Sequence, residues 1–159
     1  GDLEGAGAAA RRACDLEPAL GVAWARVAEL EFGFGRIRRA MDASDRALDA
    51  MPDHAMAMAV RGFLASARHD QDAAREWFER AIALDPALSH AWLGRGLVQI
   101  GRGDVEAGRR DLQTAAALAP NESLLRSYLG KALAAEGESD LATSELNRAR
   151  ALDPSDPTP

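Results

Sequence analysis

Five prolines stand at Pro18, Pro52, Pro86, Pro120 and Pro154, each 34 residues after the one before; only Pro157 and Pro159 fall off this series. Proline lacks a backbone N–H and clashes with the preceding turn, so a helix cannot run through it. The series therefore marks five regularly spaced breaks. Other positions keep the same interval. Alanine recurs at Ala13, Ala47, Ala81, Ala115 and Ala149, and a small residue at Ala6, Ala40, Ala74, Gly108 and Ala142. A second small series runs Ala28, Gly62, Gly96, Gly130, and leucine recurs at Leu16, Leu84, Leu118 and Leu152, with Ala50 breaking it. A fixed period of this length is the mark of stacked supersecondary units, none of which can bury its own faces alone.

Composition narrows the classes further. With 47% hydrophobic residues the chain carries enough apolar surface to fold. A formal net charge of -6 argues against a nucleic-acid binder, which needs a concentrated basic surface. Cys14 is the single cysteine, so neither an intrachain disulfide nor a cysteine metal cluster is expected. No apolar run reaches the ~20 residues of a membrane-spanning helix, and no basic-then-apolar export signal opens the chain. The chain begins with Gly1, not Met, and upstream sequence is expected. About a fifth of the residues are Ala, and Lys131 is the only lysine among 19 basic residues. The arginine bias points to a GC-rich bacterial genome, with cytoplasm and periplasm equally compatible.

The stretch AAREWFERAIALDP (residues 73–86) followed by AWLGRG (91–96) resembles the tetratricopeptide repeat, whose signature over 34 residues is W-x2-L-G-x2-Y, A-x3-F and P. Trp24 and Trp92 open two of the units. Met58 and Arg126 take the tryptophan's place in the others, and Arg61 and Arg95 that of the signature leucine. Glu31, Ala65, Gln99 and Leu133 replace the aromatic before the turn. The resemblance spans the chain and implies an all-α fold, a right-handed α-solenoid of antiparallel helix pairs with about nine helices.

Counted from Gly21, complete repeats run 21–54, 55–88, 89–122 and 123–156, each a helix A followed by a helix B. Residues 1–20 read as helix B of a truncated repeat, and Asp156-Pro157 as the start of a missing helix at 157–159. Both ends are thus expected to be cut within a longer array, although the polarity of Ser139–Leu152 also suits a natural terminus. Ser89, Asp53 and Asn121 are candidate caps for A helices. Asp85-Pro86 closes a B helix, and Gly101-Arg102-Gly103-Asp104 turns into the next. Small residues at Ala81 and Gly96 let A and B helices touch, while Trp24, Trp92, Phe78 and Leu112 fill the neighbouring gaps.

No constellation for catalysis is visible. His54, His69 and His90 lack partners at metal-ligand spacing, and no nucleophile elbow, Walker loop or dinucleotide fingerprint appears. Carboxylates read as scattered over solvated faces, as do the doublets Arg38-Arg39 and Arg109-Arg110. Cys14 reads as a small buried apolar residue. No metal and no cofactor is expected, and the chain is not expected to be an enzyme. The Met51, Met56, Met58 cluster reads as a soft client surface, with about half of it expected to fill core.

On helix A, the stripe of Trp92 and Gly96 is one face, and His90, Leu93, Leu97 and Ile100 lie roughly 140° around from it. The resemblance implies that this second stripe lines a concave groove where clients bind. Its counterparts are Val22, Ala25, Glu29 and Phe32, then Met56, Ala59, Phe63 and Ser66, and finally Leu124, Ser127, Lys131 and Ala134. The alternative for each is packing on the neighbouring A helix. A chaperone-type carboxylate clamp would need Lys, Asn or Arg where Ala25, Glu29, Val60, His90 and Gly94 stand. An asparagine ladder would need Asn near Arg26, Val60, Gly94 and Tyr128. Both are absent, so an apolar peptide or amphipathic helix is the expected client.

The leading expectation is a non-catalytic protein–protein interaction scaffold holding that client in its groove. Its candidate contacts are Val22, Glu29, Phe32, Met56, Phe63, Ser66, His90, Leu93, Leu97, Ile100, Leu124 and Lys131. The alternative is a structural spacer or a self-association module, joined through the cut ends of the array, within a larger multidomain protein.

Overall fold

The computed structural model describes residues 3–154; the expected helix start at 157–159 lies outside them. The described residues form nine α-helices and no strand. They fall into two compact units, Gly1–Pro86 and Ala87–Pro159. The first holds α1 (Leu3–Leu16), α2 (Gly21–Gly33), α3 (Ile37–Ala50), α4 (Ala55–Ala67) and α5 (Gln71–Leu84). The second holds α6 (Ser89–Gly101), α7 (Val105–Leu118), α8 (Ser123–Ala135) and α9 (Ser139–Leu152). In the first unit α2 pairs with α3 and α4 with α5; in the second, α6 pairs with α7 and α8 with α9.

The proline series does what its chemistry requires. Helices α1, α3, α5, α7 and α9 each end two residues before a member of it. The turn inside each pair has its own series. Gly35, Gly103 and Gly137 take positive φ (70°, 93° and 84°), the conformation glycine adopts without steric cost. The fourth member is His69, at φ 62°. An L side chain there is strained by about 1–2 kcal/mol. Its replacement by glycine relieves the strain but adds freedom to the unfolded chain. We expect His69→Gly to stabilise the first unit by about 0.5–1 kcal/mol, read as a higher midpoint in urea unfolding.

Capping follows the aspartates of the turns. Asp70 accepts from Ala73 N at 3.1 Å, and Asp104 from Ala107 N at 3.2 Å. The expected caps of the A helices differ. Ser89 is the first residue of α6, preceded by Leu88 without a side-chain cap, and α8 follows Glu122, not Asn121. In place of Asp53, His54 caps α4, its Nδ1 accepting from Ala57 N at 3.3 Å. That bond needs a neutral imidazole. Burial also holds the His54 pKa below its ordinary 6.5. A depressed histidine pKa contributes stability that is full above 6.5 and lost as pH falls through the folded value. Wild type should therefore lose thermal stability between about pH 7 and 5 faster than His54→Asn, which keeps a cap at every pH. Parallel melting curves across that range would contradict the assignment.

Packing at the helix crossings explains the small residues. A Cβ built on Gly62 would meet the Phe78 ring at 2.6 Å, and one on Gly130 would meet Leu146 Cγ at 2.7 Å. On Gly96 it would lie 2.9 Å from Gly108 O and 3.1 Å from Asp111 Cβ. Glycine is the only residue that fits these crossings without displacement. In the first unit Cys14, Val27, Ala28, Ala40, Ala43, Val60 and Leu64 form one buried cluster. Cys14 is buried as expected, and burial, with Asp15 beside it, raises its thiol pKa. Of the four expected gap-fillers, Phe78 and Leu112 are buried, whereas Trp24 and Trp92 stay half-buried under Arg46 and Arg95 at 4.6 and 4.7 Å.

Two carboxylates depart from the expectation of solvated faces. Glu31 is 1% exposed and Asp111 6%. Burying a charge is expensive unless it is paired. Glu31 faces Arg11 at 2.6 Å and Arg36 at 3.5 Å, while Arg95 grips Asp111 with two bonds, 2.7 and 2.9 Å. The doublet at 109–110 is also engaged: Arg109 lies 2.7 Å from Glu136, and Arg110 pairs with Glu106 at 2.9 Å. Arg38 and Arg39 are exposed.

Candidate functional site

In the first unit, α2 packs directly on α4, bringing their stripes together. Phe32 and Phe63 stack with ring centres 5.6 Å apart, and both remain half-buried. Phe63 also makes a T-shaped contact with the buried Phe78 at 4.9 Å, so its ring links Phe32 to the core. Met56 and Ser66 on α4, and Glu29 on α2, are half-buried; Val22 is 47% exposed. Glu29 takes an ion pair from Arg26 at 2.5 Å. Ala25 and Ala59 of the same stripe are buried. Of the methionines, Met58 is core, Met51 is exposed and Met56 lies between.

In the second unit the stripe on α6 divides. Leu93 is only 3% exposed and belongs to the core. Leu97 and Ile100 are half-buried, but Ile100 turns toward α7, where its Cγ1 occupies the space a Cβ on Gly108 would need. His90 lies 3.2 Å from Glu122 through its Nε2, and this hydrogen bond, more than the opposing burial, holds the Glu122 carboxyl below its usual range. On α8, Leu124 is half-buried, Lys131 is exposed and Ser127 is fully buried. The candidate residues thus fall into two sets, one in each unit. The first is aromatic and apolar with one carboxylate; the second is aliphatic with histidine and lysine.

A different feature was not foreseen from the stripe. Beneath α7, α8 and α9 lies an open recess of about 430 Å³, and beneath α1, α2 and α3 one of about 330 Å³. Ten lining residues of the first correspond to ten of the second displaced by three periods, from Arg11 and Gln113 to Arg46 and Arg148. The period itself could have located both.

No group of His, Cys, Asp and Glu able to hold a metal occurs among the described residues. No helix in them is long and apolar enough to cross a membrane.

Solved structures share this arrangement. TTC0263, a thermophilic TPR protein in Thermus thermophilus, superposes with a TM-score of 0.80 at 20% identity, covering 97% of this chain and 84% of that one. YrrB, a TPR protein with an unusual peptide-binding site, gives 0.61 at 18% identity over 97% of this chain and 79% of its own. MamA from Desulfovibrio magneticus RS-1, from residue 41 to its end, gives 0.65 at 22% identity, covering 99% and 89%. No protein-family model matches the chain, and no curated protein matches it. The class is nonetheless defined by structure and period together: the chain has the tetratricopeptide-repeat fold, an all-α helical repeat.

Proposed function

We propose that this chain is a non-catalytic protein-interaction scaffold whose A-helix patches hold an apolar segment of another protein. The observation that carries the reading is the Phe32–Phe63 stack, two rings held in register by α2 and α4 yet only half-buried. Apolar rings left half-buried at a surface, with Met56 and Val22 also uncovered on the same two helices, favour a ligand that removes them from water. An amphipathic helix presents side chains at i, i+3, i+4 and i+7, which suits a patch built from two neighbouring helices. YrrB is described as having a peptide-binding site, and a peptide ligand here is consistent with sharing its fold. The largely apolar make-up of both patches suits contact more than chemistry, which needs converging polar groups.

The test uses residues whose change spares the core. Phe63 is unsuitable, since it supports Phe78. Met56→Glu and Leu97→Glu place a carboxylate on each patch in turn at half-buried positions. Peptides selected on wild type from a displayed random library should be apolar on one face. At least one of the two variants should weaken them about tenfold or more, the size of about 1.4 kcal/mol, with circular dichroism unchanged.

A further inference from the structure

We propose that the recess between α7 and α9 seats an acidic, leucine-bearing segment of another protein, on a surface that shares no residue with the A-helix stripes. Both helices pack on α8, and the recess of about 430 Å³ opens over it, lined from all three. Its floor is aliphatic: Leu129 and Leu133 of α8 and Ala116 of α7 are buried there. Leu141 of α9 forms one side and keeps 56% of its surface exposed. Arg39 holds the equivalent place on α3, and it lines the equivalent recess although α4 packs beyond α3. The place therefore faces the cleft, and Leu141 extends the buried leucines of the floor into one apolar surface. A concave apolar floor with a few polar groups at its edge is the make-up of a binding site.

The edge supplies the charge preference. Arg126 stands where Trp24 and Trp92 stand in their repeats. It keeps the bond the indole makes: Trp24 Nε1 donates to Pro18 O at 2.8 Å, and Arg126 Nε to Pro120 O at 2.7 Å. An arginine stem is slimmer than an indole, and this recess is the larger, about 430 against 330 Å³. Arg126 and Arg148 share one carboxylate, Glu145, at 2.7 and 3.0 Å. Two guanidiniums over one carboxylate leave a surplus of positive charge. It lies with Arg148, whose side chain is 61% exposed and has no other partner among the described residues. A guanidinium with donors to spare takes a further carboxylate in preference to any cation.

The corresponding recess of the first unit offers neither half of this. Where the second unit has Leu133 and Leu141, the first has the charged Glu31 and Arg39, and its three arginines stand among three carboxylates. The α7–α9 recess holds one bulky side chain with its neighbours and covers far less than a standard interface. Binding of a short segment should therefore be weak, with a dissociation constant on the order of 0.1–1 mM.

Three synthetic peptides test this, with Leu-Glu, Leu-Lys or Ser-Glu alternating between Gly-Ser ends, each titrated to about 2 mM into the 15N-labelled 159-residue chain. The Leu-Glu peptide should shift the amides of Ala116, Ala117, Leu129, Leu141 and Ser144 and bind more tightly than the other two. Its affinity should fall about threefold or more between about 0.05 and 0.3 M salt. Leu141→Asp, at an exposed position, should abolish the response. Arg148→Glu turns the surplus charge negative and should reverse the order of the Leu-Glu and Leu-Lys peptides. Met56→Glu and Leu97→Glu should bind the Leu-Glu peptide as wild type does, which separates this site from the A-helix reading. The proposal is overturned if the Leu-Glu peptide shifts none of these amides, or if the Leu-Lys peptide binds wild type equally well. It is overturned too if Leu141→Asp and Arg148→Glu both leave the response intact, or if Leu97→Glu erases it.

Discussion

Truncating Phe78 to alanine should destabilise the first unit by about 3–5 kcal/mol. Phe78 is fully buried on α5, its ring pressed into the place where any other residue at position 62 would carry a Cβ. Removing it leaves a cavity walled by Gly62, which has no side chain to relax into the space. The ring also supports Phe63 from the core side, at 4.9 Å. The converse change, Gly62→Ala, forces the crossing apart and should cost about 1–3 kcal/mol. The double variant should then be less destabilised than the sum, because an alanine methyl at 62 enters the space the ring vacates. Urea unfolding of all three proteins, with circular dichroism and tryptophan fluorescence compared, measures both the magnitudes and the coupling. Strict additivity would contradict the mating of these two residues.

Replacing Arg95 by methionine should cost the second unit about 3–5 kcal/mol. Asp111 is held by both the Nε and an Nη of Arg95, and its side chain is only 8% exposed. Methionine keeps much of the bulk while leaving a carboxylate desolvated and unpaired. The decisive comparison is the double variant Arg95→Met/Asp111→Leu. Exchanging a buried ion pair for apolar side chains is often neutral. Most of the single-variant loss should return, a coupling of about 2 kcal/mol or more. If the double variant is as unstable as Arg95→Met, Arg95 acts through its stacking on Trp92 and not through Asp111.

The periodic residues were the legible part of this chain. Each proline of the series stops a helix wherever it falls, and Gly62, Gly96 and Gly130 mark crossings because no other residue fits there. Neither inference needs a partner in space. Glu31 and Asp111 were misread because burial of a carboxylate depends on an arginine 20 or 16 residues away on another helix. The hint was positional: Glu31 shares its place in the 34-residue period with Leu133, which is 4% exposed. Leu93 and Ile100 show the same limit on the groove stripe. The same helical stripe can serve a client or a neighbouring helix, and angular position alone does not separate the two. In α6 the neighbours took Leu93 entirely and turned Ile100 to α7. His69 carries a different lesson, since its place in a series of turn glycines predicts a positive φ from spacing alone.

The central claim is that the half-buried apolar patches of the A helices hold a peptide. It is tested most directly by mapping amide chemical-shift changes on the 15N-labelled chain during titration with a library-selected peptide. The largest changes should fall on α2 and α4 around Val22, Phe32, Met56 and Phe63, or on α6 around Leu97, and Met56→Glu or Leu97→Glu should erase them. Changes confined to the α1–α3 or α7–α9 recesses, with both variants binding as wild type does, would contradict the claim.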